Sequence, residues 1–391
     1  MLNFRYRIKN KDTKRLEELV ITSNCVWNYA LMIQRKYYEW TGKYLPSSKL
    51  QSYIAKKRKK NSYWRKLNSH WVQNIIKTLD ESYQRFFAGL QKRPPKFKKR
   101  YQDGSILAYW NVSFIDGIKI NNDEITLKQF GTYKFIKHRV CGKNICSIRV
   151  KRYNNHFYVI ICCDCQPKKL ARDCDGTAGI DFGLKTFITL DNGEMIESPR
   201  FLFKNAKKLR KLNKVVSRRK KGSNRRRKAV EQLSNFHAHV AWQRDDWQWK
   251  LAHRLCKQYT IIKIEDLCLL GWVRLWGRKA SDLAIGEFIK KLEFVASKYG
   301  TQIVKVDRWY ASSHICSACG YKLDRKLELN EREWQCPVCG VVHVRDVNAA
   351  VNIKRWEPTC ISEDRSKTSV QRREQRRTAK NSILEDNYVK Q

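Results

Sequence analysis

Acidic residues are scarce in this 391-residue chain: 37 Asp and Glu stand against 81 Lys and Arg, a formal charge of +44. The excess is spread along the whole chain, so the expected partner is a polyanion, nucleic acid first, rather than a small acidic metabolite. Long apolar runs are missing as well. There is no stretch of about 18 apolar residues and no charged-then-apolar leader near Met1, which argues against a membrane span or secretion, and no membrane partner is expected. The expected compartment is the reducing cytoplasm of a prokaryotic host, where the 14 cysteines read as free thiols plus a metal site rather than as disulfides. No Gly-rich nucleotide loop and no HRD segment accompany Asp181-Phe182-Gly183, so its likeness to a kinase motif carries nothing.

What is present suffices for a core and for more than one domain, with 42% hydrophobic and 12% aromatic residues. Residues 1–10 read as a short strand. Val26, Tyr29, Ile33, Tyr37 and Trp40 then recur at helical spacing, as do Val72, Ile75, Leu79, Tyr83, Phe86 and Leu90, which predicts two core-facing helices. Pro94 and Pro95 end the helical part, and the basic segment from 92 to 100 serves either as a phosphate contact or as a solvated linker. From 104 to 165 apolar and polar residues alternate between Gly- and Asn-rich turns, a β-rich module. Three strands are expected over 177–198, with a hairpin turn at Asp191-Asn192-Gly193. A basic helix over 204–228, broken at Gly222-Ser223-Asn224, and a second over 228–257 form a hairpin with one strongly positive face. A strand in "YTIIKIEDL", a helix over 281–299 stopped by Gly300, a strand in "TQIVKVDRWY" and a closing helix in "RDVNAAVNIKRW" complete the ordered chain. The last 35 residues lack an apolar period and are expected to be disordered.

This order of elements is compatible with an α/β ribonuclease H-like sheet, and it locates three acids. Asp181 lies on the first strand, Glu265 at the end of the fourth, and Asp346 in the first turn of the closing helix. The first and fourth strands of such a sheet can be neighbours. Converging carboxylates on rigid elements suit hard divalent cations such as Mg²⁺, and a pair of such ions supports phosphodiester hydrolysis. Each acid also has a plainer reading: a turn end for Asp181, a solvent-facing strand end for Glu265 and Asp266, a helix N-terminus for Asp346.

Cys316, Cys319, Cys336 and Cys339 form two CxxC knuckles, each followed by glycine. Their spacing predicts a tetrahedral Cys₄ zinc ribbon, which leaves no open position for water and is therefore structural. His314 and His343 flank it, but ligation does not need them. Cys162 and Cys165 also make a CxxC, without a second knuckle to complete a site.

Taken together, "GIDFGLKTFITL", "IIKIEDL" and a Cys₄ ribbon feeding "RDVNAAVNI" resemble the split RuvC nuclease of the TnpB family, transposon-encoded RNA-guided DNA endonucleases related to compact type V CRISPR effectors. The segments "LDESYQRFF", "RPPKFKKR" and "LRKLNKVVSRRKKGSNRRRK" extend the resemblance over nearly the whole chain. It implies a β-barrel-like wedge module (1–20 and 101–175), a helical recognition insertion (21–100) and a RuvC-like nuclease (176–356). Within the nuclease it implies a lid at 204–257 and an inserted zinc ribbon at 312–343, with a basic tail over 357–391. By the same resemblance the catalytic metal ligands, two Mg²⁺ ions expected, are Asp181, Glu265 and Asp346, and one structural Zn²⁺ sits on the four cysteines. The implied partners are an element-derived guide RNA and double-stranded target DNA with a short flanking motif, for which Gln73 is the candidate contact. Lys96, Lys98, Lys99 and Arg100, with Arg218, Arg219, Arg225, Arg226 and Arg227, are the candidate nucleic-acid residues. Two positions depart from the family pattern: Val344 where an acid commonly precedes the Arg-Asp pair, and Ala311 where proline often precedes the serines. A repressor that has lost cutting, and a transposase joining strands itself, are the alternatives. The complete acid set speaks against the first, and the lack of a His-hydrophobe-His or tyrosine-nucleophile constellation against the second.

Overall fold

The computed structural model describes residues 2–9, 13–99, 105–109, 118–140, 144–153, 156–166, 169–173, 175–325, 327–328 and 331–357. Arg100 and the tail beyond 357 lie outside them. The chain divides into two units, Met1–Pro167 with Leu209–Ala238, and Lys168–Lys208 with His239–Gln391.

The first unit opens with β1 (Leu2–Arg7) and four helices, α1 (Lys14–Thr41), α2 (Ser47–Lys59), α3 (Ser62–Arg65) and α4 (Ser69–Phe87). Then come β2 (Ser105–Tyr109), β3 (Ile118–Asn121), β4 (Glu124–Leu127), β5 (Gly131–Lys134), β6 (Ile145–Tyr153) and β7 (His156–Cys163). One antiparallel sheet has the order β1-β7-β6-β2 and a second the order β3-β4-β5. A bridge between Ile8 and Phe135 links the two. One core joins both sheets to the helices, through Tyr6, Ile125, Tyr133, Phe157 and Val159 from the strands, Phe130 and Phe135 flanking β5, and Leu16, Leu31, Trp71 and Ile76 from the helices.

Helical periodicity located α1 and α4, and α4 is capped where Asn68 accepts from the His70 N–H at 2.9 Å. It did not locate α2, a polar and basic helix in which only Leu50 and Ile54 are buried, nor the single turn of α3. Two members of the expected apolar stripes are not core residues: Trp40 is 83% exposed, and Leu90, past the end of α4, is 77% exposed.

The second unit contains β8 (Thr177–Phe182), β9 (Thr186–Leu190), β10 (Met195–Glu197) and the single turn α5 (Phe201–Lys204). Next are α6 (Ala206–Arg218) and α7 (Asn224–Gln258), of which residues 209–238 cluster with the first unit rather than lying wholly in the second. The second helix of this pair starts at Asn224, four residues earlier than its apolar pattern indicates. β11 (Ile261–Glu265), α8 (Leu269–Trp276), α9 (Arg278–Leu283), α10 (Ile285–Tyr299) and β12 (Gln302–Val306) follow. A 3₁₀ turn (Ser312–His314), β13 (Glu333–Gln335), β14 (Val342–Val344) and α11 (Arg345–Arg355) close the described chain. The helix expected over 281–299 is broken at Ala284, whose φ of 49° separates α9 from α10.

The sheet order is β10-β9-β8-β11-β12. β8, β9 and β10 are antiparallel, whereas β11 runs parallel to both β8 and β12. Alternation along the strands sends Ala178, Ile180, Ile262 and Ile264 into a core completed by Leu251 and Leu255 of α7 and by Phe288, Leu292 and Val295 of α10. The intervening residues Gly179, Asp181, Lys263 and Glu265 therefore point to the opposite face. α11 covers that face with its own buried Ala349, Ala350 and Ile353.

Candidate active site and metal centre

Register brings the first two acids together. Ile264 pairs with Ile180 in the parallel ladder, so one further step sets Glu265 opposite Asp181 at the ends of adjacent strands, both on the face that α11 covers. Asp266, one residue on, turns the other way and is bound by Arg308, whose guanidinium lies 2.5 Å from its carboxylate. The third acid, Asp346, stands in the first turn of α11.

α11 lies very close to the sheet because β8 carries glycine at the crossing. A Cβ on Gly179 would meet the Ala350 carbonyl oxygen at 2.0 Å and the Lys354 nitrogen at 2.5 Å. Asp191 secures the same junction, accepting from the Gly179 N–H at 2.9 Å and from Lys354 Nζ at 2.6 Å. At the far end of α11, buried Lys263 donates to the Trp356 carbonyl at 2.5 Å and to Glu357 at 2.7 Å, a cation placed against a helix C-terminus.

The crowding of acids is felt at Asp181. Asp181 is held well above the ordinary carboxylate range, chiefly by burial, then by the charges of Glu265 and Asp346, with the Arg345 guanidinium opposing. Part of the Asp181 residue still meets solvent, but its carboxyl is desolvated by the surrounding protein. Burial also raises Glu265, against a hydrogen bond that it accepts from Ser312 at 2.8 Å. Arg332 approaches Asp346 at 3.3 Å from the start of β13. Oxygen-only donors whose charge Arg332 and Arg345 offset only in part match what a hard dication needs, and a dication bound among them would relieve the repulsion at Asp181.

The cysteines are set more tightly. Among the described residues, Cys316, Cys319, Cys336 and Cys339 are the one group of three or more His, Cys, Asp or Glu side chains whose ligand atoms all lie within 4.8 Å of one another, so they could hold a metal ion. Cys316 and Cys339 are 3.6 Å apart at sulfur, as are Cys319 and Cys336. A tetrahedral thiolate site with bonds of about 2.3 Å requires sulfurs about 3.8 Å apart, so the set fits an ion of zinc's size. His343 lies across the β13–β14 pair from Trp334, and its Nε2 is 3.0 Å from Cys316 Sγ.

Side chains of α11 tie this ribbon to the sheet. Asn348 donates to the Ile315 carbonyl at 2.7 Å and accepts from the Ser317 N–H at 2.8 Å. Asn352 donates to the carbonyls of Ser312 and Ile315 at 2.8 and 2.6 Å, and Arg355 reaches the Ser317 carbonyl. Ser312, Arg332, Asn348 and Asn352 are absent from the sequence reading. The "VNAAVNI" stretch does carry two asparagines four apart, hence on one helix face, which is the signal that could have found them.

The candidate nucleic-acid residues fall in the first unit or on α6 and α7. Gln73 is exposed on α4, and Lys96, Lys99, Arg218, Arg219, Arg225 and Arg227 are exposed, with Arg226 half-buried. The segment around Lys96 is not a free linker. Asn28 pairs with Lys98 as a strand would, accepting from its N–H at 2.7 Å and donating to its carbonyl at 2.8 Å. Trp27 and Arg35 hold the Lys96 and Pro95 carbonyls, each at 3.1 Å. Lys98 itself is engaged, its ammonium 4.0 Å from the centre of the Trp27 ring, and burial lowers its pKa. Among the described residues no helix is long and apolar enough to cross a membrane.

Two family descriptions match the chain: "Probable transposase" (OrfB_IS605) over residues 161–274 and "Cas12f1-like, TNB domain" over 286–353. A "Putative RNA-guided DNA endonuclease" of Streptomyces pristinaespiralis is 31% identical, covering 90% of this chain and 88% of the relative. InsQ of Escherichia coli K12, which bears the same description, is 26% identical over 90% of both chains. Among solved structures, Cas12f1 in a cryo-EM complex with sgRNA and target DNA superposes with a TM-score of 0.58 at 15% identity, over 88% of this chain and 83% of that one. The mini-RNA-guided endonuclease CRISPR-Cas_phi3 does so with 0.52 at 8%, over 90% and 92%. These two likenesses are of fold.

Proposed function

Since this chain belongs to the TnpB family of RNA-guided DNA endonucleases, we propose that it cuts guide-matched DNA at a centre formed by Asp181, Glu265 and Asp346. What supports this reading is placement: the β8–β11 register sets Glu265 beside Asp181, Asp346 stands in the first turn of α11, and the charges of Glu265 and Asp346 both raise Asp181. In this reading the second unit is the ribonuclease H-like, RuvC-type nuclease with its ribbon inserted between β12 and α11. The first unit is the wedge module carrying the recognition helices.

Asp181, Glu265 and Asp346 would hold divalent cations, Mg²⁺ in the cell. Bound there, such ions supply an activated water and neutralise charge on the leaving 3′ oxygen. The protein's own part is positional. β8 and β11 fix two carboxylates in register, α11 delivers the third, and Arg332 places a positive charge beside Asp346 where a backbone phosphate would add negative charge. Cys316, Cys319, Cys336 and Cys339 would hold one zinc ion, bracing the chain that leads into α11 rather than taking part in cutting. Guide pairing selects the sequence, and the basic faces, including Arg218, Arg219, Arg225 and Arg227, hold the heteroduplex by its backbone. Gln73, exposed on α4, is the proposed contact to the target-flanking motif.

The test uses the purified protein with its copurified RNA and Mg²⁺. Matched double-stranded DNA is cut by the parent and not by Asp181→Ala, while RNA affinity stays within a few-fold. Cutting by Asp181→Ala at the parental rate refutes the assignment.

A further inference from the structure

Glu265 is oriented by more than its own strand. Ser312 donates from Oγ to Glu265 Oε1 at 2.8 Å and is only 4% exposed, so bulk water does not compete for the hydroxyl. Ser312 opens the 3₁₀ turn four residues before Cys316. Its carbonyl is held by Asn352 of α11 at 2.8 Å, and the same amide nitrogen holds the Ile315 carbonyl, next to the first cysteine, at 2.6 Å. Asn352 is itself 3% exposed. One residue thus takes its position from the ribbon and from the helix that carries Asp346, and touches the carboxylate presented by β11. Glutamate has one more rotatable bond than aspartate, so Glu265 has more freedom to lose than Asp181 when a cation binds.

We propose that Ser312 is a positioning residue of the acid centre: its hydroxyl engages one oxygen of Glu265, presents the other to the cation, and couples order in the cysteine ribbon to that carboxylate. The proposal rests on the reading of Asp181, Glu265 and Asp346 as metal ligands.

Ser312→Ala isolates the hydroxyl, because Asn352 uses only the Ser312 backbone carbonyl. In the full-length protein with its RNA, Mn²⁺ binding is read by electron paramagnetic resonance, with zinc per chain measured on the same sample. Ser312→Ala weakens Mn²⁺ binding about 10-fold, the usual scale for losing a hydrogen bond behind a metal ligand, at unchanged zinc. Ser312→Thr, which keeps the hydroxyl, binds more tightly than Ser312→Ala. The Mg²⁺ concentration for half-maximal cutting shifts by the same factor, whereas the rate at saturating Mg²⁺ changes less. Unchanged Mn²⁺ affinity in Ser312→Ala overturns the proposal. So does loss of zinc from that variant, which would assign the hydroxyl to the ribbon alone. Asp181→Ala in the same assay separates the two ideas: parental Mn²⁺ binding there refutes the metal centre itself, whereas lost binding there with unchanged binding in Ser312→Ala refutes only the role of Ser312.

Discussion

Replacing Gly179 by alanine tests how closely the closing helix must approach the sheet. The added methyl would lie 2.0 Å from the Ala350 carbonyl oxygen and 2.5 Å from the Lys354 nitrogen. Both are backbone atoms of α11, so no side chain can swing aside. The helix must retreat by about 1 Å or the strand must buckle, an overpacking cost of about 1–3 kcal/mol. Reduced freedom of the unfolded chain returns only about 0.4–1 kcal/mol, so the net effect is destabilising. The functional effect is larger, because Asp346 rides on the displaced helix while Asp181 stays on the strand. A misplacement of about 1 Å in a reacting constellation costs about 100-fold in rate, equivalent to about 2.7 kcal/mol. Gly179→Ala is therefore expected to lower the melting temperature by a few degrees and single-turnover cutting of matched DNA by about 100-fold, with RNA binding retained. Gly271→Ala is the control, since its methyl would meet only the Cys268 side chain, Sγ at an ordinary 3.5 Å and Cβ at 3.9 Å; placed inside α8, it should be neutral or slightly stabilising. Parental cutting by Gly179→Ala at an unchanged melting temperature would refute the idea that this crossing places Asp346.

Other expectations concern the ribbon and its attachment. Cys336→Ser should lose its zinc, by metal analysis, and most cutting, while the core around Phe288 and Ile264 persists in circular dichroism; retention of one zinc per chain would contradict the four-thiolate set. His343→Ala should keep its zinc although Nε2 is 3.0 Å from Cys316 Sγ, and metal loss there would make the histidine a ligand. Asn352→Leu leaves the Ser312 carbonyl without its buried side-chain donor, whereas the Ile315 carbonyl keeps Asn348, at a cost of about 1–3 kcal/mol in denaturant unfolding. An unchanged midpoint would show that the ribbon is held some other way.

Local chemistry made part of this architecture legible. Alternation and turn residues identify β8 to β10, the apolar run "TIIKI" identifies β11, and Gly300, with its φ of 71°, ends α10 where its position suggests. The helices that escaped were those with little to bury. α2 hides two side chains, and α8 leaves Leu270 76% and Leu275 74% exposed, so its apolar residues follow no core stripe. Trp40 and Leu90 misled for the converse reason: helical spacing shows which side of a helix a residue occupies, but not how far the neighbouring element extends to cover it.

The cysteine spacing by itself determined two knuckles, because each short turn brings its own pair of sulfurs together; the fold then sets one knuckle against the other, Cys316 by Cys339 and Cys319 by Cys336. The acids at 181, 265 and 346 stood out as candidates for a related reason, each occurring at the end or start of a recognisable element. Which acids share a face was a tertiary matter. Parallel pairing of β8 with β11 aligns Glu265 with Asp181 and turns Asp266 away to Arg308, and no local pattern sets that register. Only the folded chain brings Ser312 to Glu265 across 47 positions and Arg332 to Asp346 across 14, or makes Gly179 the point at which a helix meets a strand. Hydrogen bonds and close contacts between segments distant in sequence leave no periodicity to read, since each depends on where other elements have already packed.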